Sequence, residues 1–226
     1  MLKAIVFDLD HTLFDRYATF ECILSKEEAY TVFNKELGKE KVHSLWSEFD
    51  KKFIHFENPW DLIFDALKES GALLPEIEKQ GFYKNSISFL YKLGAVLYND
   101  TIDTLTKLKA AGYKLGIITN GNPATQNIKL SLLNISEYFD EIMISGDFNT
   151  NKPDKMLFDI MAERLELKPQ EVLFVGDHPI NDISGARGAG MKTAWINATG
   201  DWGFPELARA DYEIDTLFEL CDLLVK

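Results

Sequence analysis

The sequence predicts an α/β fold: a Rossmann-like three-layer parallel sheet with an inserted helical-bundle domain. Three observations predict it. Short apolar runs alternate with helical patterns along most of the chain. Residues 16–94 break that rhythm, carrying helical periodicity without strand runs. The apolar runs end in polar clusters, as strands do where a parallel sheet binds its ligand.

The elements follow in order. "KAIVFD" (3–8) reads as a buried strand and ends in two aspartates, Asp8 and Asp10. Side chains i and i+2 of a strand share a face, so both carboxylates aim at one small region. Like charges that close either push one pKa up or demand a cation between them. Residues 16–94 are rich in Phe, Tyr, Trp, Glu and Lys. Their segments "EEAYTVFNKELG", "KVHSLWSEFDKKFIHF", "PWDLIFDALKESG" and "EIEKQGFYKNSISFLYKLG" suit four or so amphipathic helices. Both ends of this insert return to the α/β body, formed by residues 1–15 and 95–226, so it is expected to act as a lid over the sheet.

"DTIDTLTKLKAAG" (100–112) is a helix expected to start at an Asp100 cap and stop at Gly112. Strand "YKLGIIT" (113–119) leads to helix "NPATQNIKLSLLN" (122–134), with an Asn cap and Pro in its first turn. Strand "EIMIS" (141–145) precedes helix "KPDKMLFDIMAERLEL" (152–167), again opening on Pro. Strand "EVLFVGD" (171–177) precedes helix "PINDISGARGAG" (179–190), which closes on glycine. "KTAWIN" (192–197) is a fifth strand and "YEI" (212–214) a candidate sixth. Strands alternating with helices imply right-handed crossovers.

Composition narrows the function. The chain has 226 residues, 46% of them hydrophobic, as in ordinary globular proteins. A net charge of −12 argues against a nucleic-acid or anionic-membrane partner. A small anionic substrate remains compatible if a metal or a local lysine reverses the field. Cys22 and Cys221 make neither a disulfide framework nor a zinc site, so a reducing, cytoplasmic setting is expected. The N-terminus is too short and too soon acidic for a signal peptide. No apolar run reaches the roughly 18 residues a membrane span needs. Monomer and homodimer both remain open.

The strand ends carry the chemistry. The first supplies Asp8, Asp10 and Thr12; the second Thr119, Asn120 and Gly121; the third leads to Lys152; the fourth holds Asp177 and Asp182. Three carboxylates and a carbonyl oxygen form a hard-oxygen cage suited to Mg²⁺. A hydroxyl, amide groups and a helix N-terminus suit phosphate oxygens, and Lys152 is a point cation for the same anion. Metal, anion cradle and a free carboxylate together make a phosphoryl-transfer kit.

Taken in order, "DLDHT", "ITN", "NKPD" and "GDHPIND" resemble the four motifs of the haloacid dehalogenase superfamily, and the helical insert resembles its C1-type cap. "GDHPINDISGA" looks like the branch holding nucleotidase-like and phosphoglycolate-phosphatase-like enzymes. The resemblance implies Mg²⁺-dependent hydrolysis of a small phosphorylated metabolite. Asp8 would be the nucleophile and Asp10 the acid and base. Asp8, the Asp10 carbonyl and Asp177 would bind Mg²⁺, with Asp182 directly or through water. Thr119 and Asn120 would grip the phosphoryl oxygens, and Lys152 would offset their charge. Within the family an acid at position 10 favours phosphatase over dehalogenase, because halide leaves without a proton. Rival readings are a phosphomutase of the same superfamily, a phosphorylated receiver module, and a non-enzymatic phosphate-binding protein.

Other conspicuous residues have plainer expectations. His11 is read as packing, His178 as orienting its loop, and Gly176 as a close backbone approach. Phe49, Phe53, Phe56, Trp60 and Phe64 are read as core of the insert. One of Tyr17, Phe20 and Trp60 is a candidate to stack on substrate. Trp202 is expected to pack at the surface.

Overall fold

The computed structural model describes residues 1–53, 59–197 and 202–225. It divides into two compact units, Met1–Asp15 with Leu97–Lys226, and Arg16–Val96.

The first unit opens with β1 (Ala4–Phe7), all four residues of which are fully buried. Such strands have apolar neighbours on both faces, which is why they read as unbroken apolar runs rather than as alternation.

The second unit is helical. It contains α1 (Arg16–Leu24), α2 (Lys39–Phe53), α3 (Pro59–Glu69), a short turn α4 (Lys79–Gly81) and α5 (Ile87–Leu93). A π-helical segment, Phe82–Ser86, joins the last two, so the helix expected over 76–94 is irregular. The helix expected over 27–38 is instead two 3₁₀ turns, Glu27–Thr31 and Lys35–Leu37. Asn34 interrupts it: its side chain accepts the Glu36 N–H and donates to the Gly71 carbonyl, the local competition that makes Asn a poor helix-interior residue. Helix α1 was not among the expected segments. Phe20, a stacking candidate, lies fully buried in the unit's core, stacked on Trp46 with ring centroids 3.5 Å apart. Trp60 lies under the Arg16 guanidinium, 4.4 Å from centroid to carbon. Arg16 pairs with fully buried Asp50 at 2.9 Å. Phe56 and the end of the helix expected over 41–56 lie outside the described residues.

The chain re-enters the first unit with α6 (Thr101–Ala110), then runs β2 (Lys114–Thr119), α7 (Pro123–Leu133), β3 (Glu141–Ile144), α8 (Lys155–Arg164), β4 (Val172–Gly176), α9 (Gly185–Gly188), β5 (Lys192–Ile196), β6 (Tyr212–Ile214) and α10 (Glu219–Leu224). The six strands form one parallel sheet in the order β3-β2-β1-β4-β5-β6. Strand order reverses direction at β1, and the crevice beyond such a reversal is where open α/β sheets bind ligands. In register, Phe7 sits level with Ile117 and Val175, so β1, β2 and β4 reach the same edge together. One core cluster packs Leu157, Phe158 and Met161 of α8 with Val6, Ile118 and Phe174.

Three local expectations need correction. Asp100 does not cap α6 with its side chain; its carboxylate accepts the Phe218 N–H at 3.0 Å instead. Helix α8 is capped by Asp154, which accepts the Met156 N–H, so Pro153 lies outside it, after a cis Lys152–Pro153 bond. Trp202 is 5% exposed and packs edge-on against Trp195, with ring centroids 5.4 Å apart.

Candidate active site

The site is built from four strand ends. After β1 the chain curls tightly: the Leu9 carbonyl accepts N–H groups from Thr12, Leu13 and Phe14 at 3.3, 3.0 and 2.9 Å. Buried His11 takes a left-handed backbone (φ 60°) within this curl. The turn leaves Asp8 and Asp10 beside one another at the sheet edge, close enough that the Asp10 charge is felt at Asp8.

Beyond β4, Asp177 and Asp182 join Asp8. One carboxylate oxygen from each lies within 4.8 Å of the others, and all three residues are buried. Gly176 permits this: a Cβ there would fall on the Asp182 carboxylate. Asp182 sits in a π-helical segment, Pro179–Ser184. His178 caps that segment, its Nδ1 accepting the N–H groups of Ile180 and Asn181 at 3.2 Å. The Asp182 Oδ2 in turn accepts the His178 N–H at 3.0 Å. The indole of Trp195 holds the Asp177 carbonyl at 2.6 Å. Gly176→Ala is therefore expected to displace Asp182. The overpacking should lower stability by about 1–3 kcal/mol, and the misplaced carboxylate should lower catalysis by about 10²-fold. Urea unfolding and turnover assays on the same preparation check both.

Lys152, 4% exposed, places Nζ at 2.5 Å from Asp8 Oδ1 and 2.6 Å from Asp182 Oδ1. Asn120 secures it: Nδ2 donates to the Lys152 carbonyl at 3.0 Å and Oδ1 accepts the Lys152 N–H at 2.8 Å. The Asn120 side chain is thus engaged with the Lys152 backbone and positions Lys152. Thr119, 1% exposed, accepts from Gln126 Nε2 at 2.5 Å, which leaves its hydroxyl hydrogen to donate elsewhere. Gly121, at φ 144°, lets the chain turn over the Gln126 side chain. Ser145 braces the turn, accepting the Gly121 N–H and donating to Asn151.

The Asp10 carboxylate is engaged by α7. Lys129 Nζ contacts both its oxygens, at 2.6 and 2.9 Å, and Gln126 Nε2 donates to Oδ2 at 3.1 Å. Sequence reading missed Gln126, Lys129 and Ser145. For the first two a signal existed: they share the inward stripe of α7 with Leu130 and Leu133, at i, i+3, i+4 and i+7.

The electrostatics follow from burial. Burial pushes the Asp8 carboxyl up to about 7; Lys152 pulls it down, while Asp182 and Asp10 add to the rise. Burial, then the charges of Asp182 and Asp8, holds Asp177 well above the ordinary carboxyl range. Burial works to lower the Lys152 ammonium, but Asp182 and Asp8 outweigh it and leave it above its ordinary value. Four carboxylates thus face two ammonium groups, a formal surplus of two negative charges, which matches one divalent cation. Asp177 Oδ2 is buried and accepts no hydrogen bond among the described residues. A hard-oxygen donor set with an orphaned carboxylate oxygen fits Mg²⁺.

A pH dependence results. Asp8 moves from 3.8 to about 7 on folding, so between those values the folded state holds a proton that the unfolded chain releases. Its contribution to metal-free stability is complete below pH 3.8 and is lost as pH rises through about 7; the raised Asp177 acts in the same direction. Chelator-treated wild type should therefore lose more thermal stability between pH 5 and 7.5 than chelator-treated Asp177→Asn. Equal slopes in the two proteins would contradict it.

A family model described as haloacid dehalogenase-like hydrolase matches residues 5–196. The glyceraldehyde 3-phosphate phosphatase of Methanocaldococcus jannaschii is 33% identical, over 99% of this chain and 97% of its own. The (S)-2-haloacid dehalogenase 4A of Burkholderia cepacia is 28% identical, over 100% of this chain and 96% of its own. Among solved structures, a magnesium-bound crystal form of the HAD-hydrolase YfnB from Bacillus subtilis superposes with a TM-score of 0.79 at 25% identity, covering 100% of this chain and 99% of that one. Among the described residues no helix is long and apolar enough to cross a membrane.

Proposed function

The chain belongs to the haloacid dehalogenase-like hydrolases, and on that premise we propose that it is a Mg²⁺-dependent phosphatase acting on a small phosphorylated metabolite through an aspartyl-phosphate. The observation that carries the reading is the convergence of Asp8, Asp177, Asp182 and Lys152, with Asp10 held beside them by two α7 side chains.

The roles follow from position. An Asp8 oxygen attacks phosphorus, forming a new O–P bond as the ester O–P bond breaks. Asp10 gives its proton to the departing alkoxide, then takes one from the water that displaces phosphate from Asp8. The Thr119 hydroxyl donates to a phosphoryl oxygen. Lys152, held by Asn120, offsets phosphoryl charge. Asp8, Asp177 and the Asp10 carbonyl would hold the metal, with Asp182 directly or through water. When bound, Mg²⁺ supplies charge neutralisation at the phosphoryl group and lets Asp8 act as an anion.

Relatives of this chain include both a phosphatase and a haloacid dehalogenase. Asp10 favours the phosphatase, because an alkoxide needs a proton on departure and a halide does not. The phosphorylated triose in the M. jannaschii enzyme's name makes that compound the first to try, and the magnesium in the YfnB crystal form supports the metal. The unit Arg16–Val96 contributes none of the residues assigned here; we assign it substrate selection. The free thiols Cys22 and Cys221 suit a reducing cytoplasm.

The test is a panel: glyceraldehyde 3-phosphate, other sugar and nucleoside monophosphates, an aryl phosphate and 2-chloropropionate, each with Mg²⁺ and with chelator. Phosphate release that requires Mg²⁺ is the expected result. Chloride release without phosphate release, or no turnover of any compound, would overturn the proposal.

A further inference from the structure

Helix α7 buries four side chains, Gln126, Lys129, Leu130 and Leu133. Leucines on that stripe are what a helix packed on a sheet requires. A glutamine and a lysine that are 2% and 3% exposed are not, since a buried polar or charged group is costly unless it is paired. Both reach one carboxylate. Lys129 Nζ spans the two Asp10 oxygens at 2.6 and 2.9 Å. Gln126 Nε2 donates to Asp10 Oδ2 at 3.1 Å and to Thr119 Oγ1 at 2.5 Å, tying the carboxylate to the hydroxyl at the end of β2.

We infer that Lys129, with Gln126 one turn before it, is a positioning residue for the proton transfers of Asp10. The inference rests on the phosphatase reading. A carboxyl free to rotate presents its oxygen to the leaving group only part of the time. An ammonium spanning both oxygens fixes one rotamer, and the shared Gln126 amide sets that rotamer against the Thr119 hydroxyl. Proton transfer to a reacting atom needs hydrogen-bond geometry, so its contribution of about 10²–10⁴-fold depends on this hold. The competing account is a purely structural ion pair that fastens α7 to the β1 loop. The two accounts differ in what Lys129→Met moves: a structural pair lowers the urea midpoint and KM-dependent binding together with kcat, whereas positioning lowers kcat in protein that stays folded, and only through Asp10.

The experiment is a double-mutant cycle on an aryl phosphate, whose good leaving group keeps Asp10→Asn measurable. In wild type, Lys129→Met should lower kcat at least about tenfold, on the scale of a general acid–base contribution, with KM changed less than about threefold. In Asp10→Asn the same substitution should change kcat less than about twofold, because no proton transfer remains to be positioned. Lys129→Arg should restore most of the activity. Urea midpoints verify folding, and Lys129→Gln carries the same cycle if the Met variant does not fold. An equal loss of kcat in both backgrounds, or no loss in wild type, would overturn the inference and leave the phosphatase reading standing. Absence of phosphate release from wild type would remove that reading, and this inference with it.

Discussion

Asp8→Asn is expected to abolish Mg²⁺-dependent phosphate release, lowering kcat by at least about 10³-fold. The amide is isosteric and still offers an oxygen to Lys152, so the fold should persist. It cannot act as the nucleophile, and no other carboxylate can substitute. Asp10 is turned to Lys129 and Gln126, while Asp182 is bonded to Lys152 and to the His178 N–H. The substitution also removes one buried negative charge from a surplus, so the metal-free variant should lose less stability than wild type as pH rises from 5 to 7.5. Circular dichroism and phosphate assays on matched preparations separate lost chemistry from lost structure. Residual Mg²⁺-dependent release near the wild-type rate would place the nucleophile elsewhere.

Lys152→Met should damage both stability and catalysis. Its ammonium is the shared partner of Asp8 and Asp182, at 2.5 and 2.6 Å, with 2% of the side chain exposed. Removing one partner of a buried pair leaves uncompensated charge and costs about 3–5 kcal/mol. In a domain pair of this size that lowers the melting temperature by roughly 6–20 °C, at about 2–4 °C per kcal/mol. Two responses would identify the cause. Lowering pH should recover stability, because protonating Asp8 removes the unpaired charge, and Mg²⁺ should recover part of it at neutral pH. Activity should remain at least about 10²-fold below wild type even when the protein is folded, since phosphoryl charge is left without its cation. A variant as stable as wild type in chelator would contradict the buried-charge account.

The sheet was legible because parallel strands buried on both faces leave continuous apolar runs with polar endings. The carboxyl-edge residues were legible for the same reason: Asp8, Thr119 and Asp177 each follow directly on such a run. What the chain does not display is how those ends are tied together. Lys152 meets Asp8 across 144 positions, and Asn120 meets the Lys152 backbone across 32. Asn120 reads as a phosphate ligand from its place after β2, and only the neighbouring loop shows that its amide is already engaged. Gln126 and Lys129 were hidden by the amphipathic reading of α7, although two polar residues on its buried stripe were the signal. The capping rule misplaced Asp100 because a distant N–H, that of Phe218, competes for its carboxylate. In the helical unit, Asn34 ends what the apolar spacing extends, a side-chain preference that periodicity does not register.

The central claim is that Asp8 carries the phosphoryl group between substrate and water. The stereochemical course at phosphorus tests it most directly, using an aryl phosphorothioate carrying ¹⁶O and ¹⁸O, hydrolysed in H₂¹⁷O by the Mg²⁺-loaded protein so that the released thiophosphate is chiral. Two successive in-line displacements, first by Asp8 and then by water, predict retention of configuration. Inversion would mean that water attacks the substrate in one step, and would contradict the account.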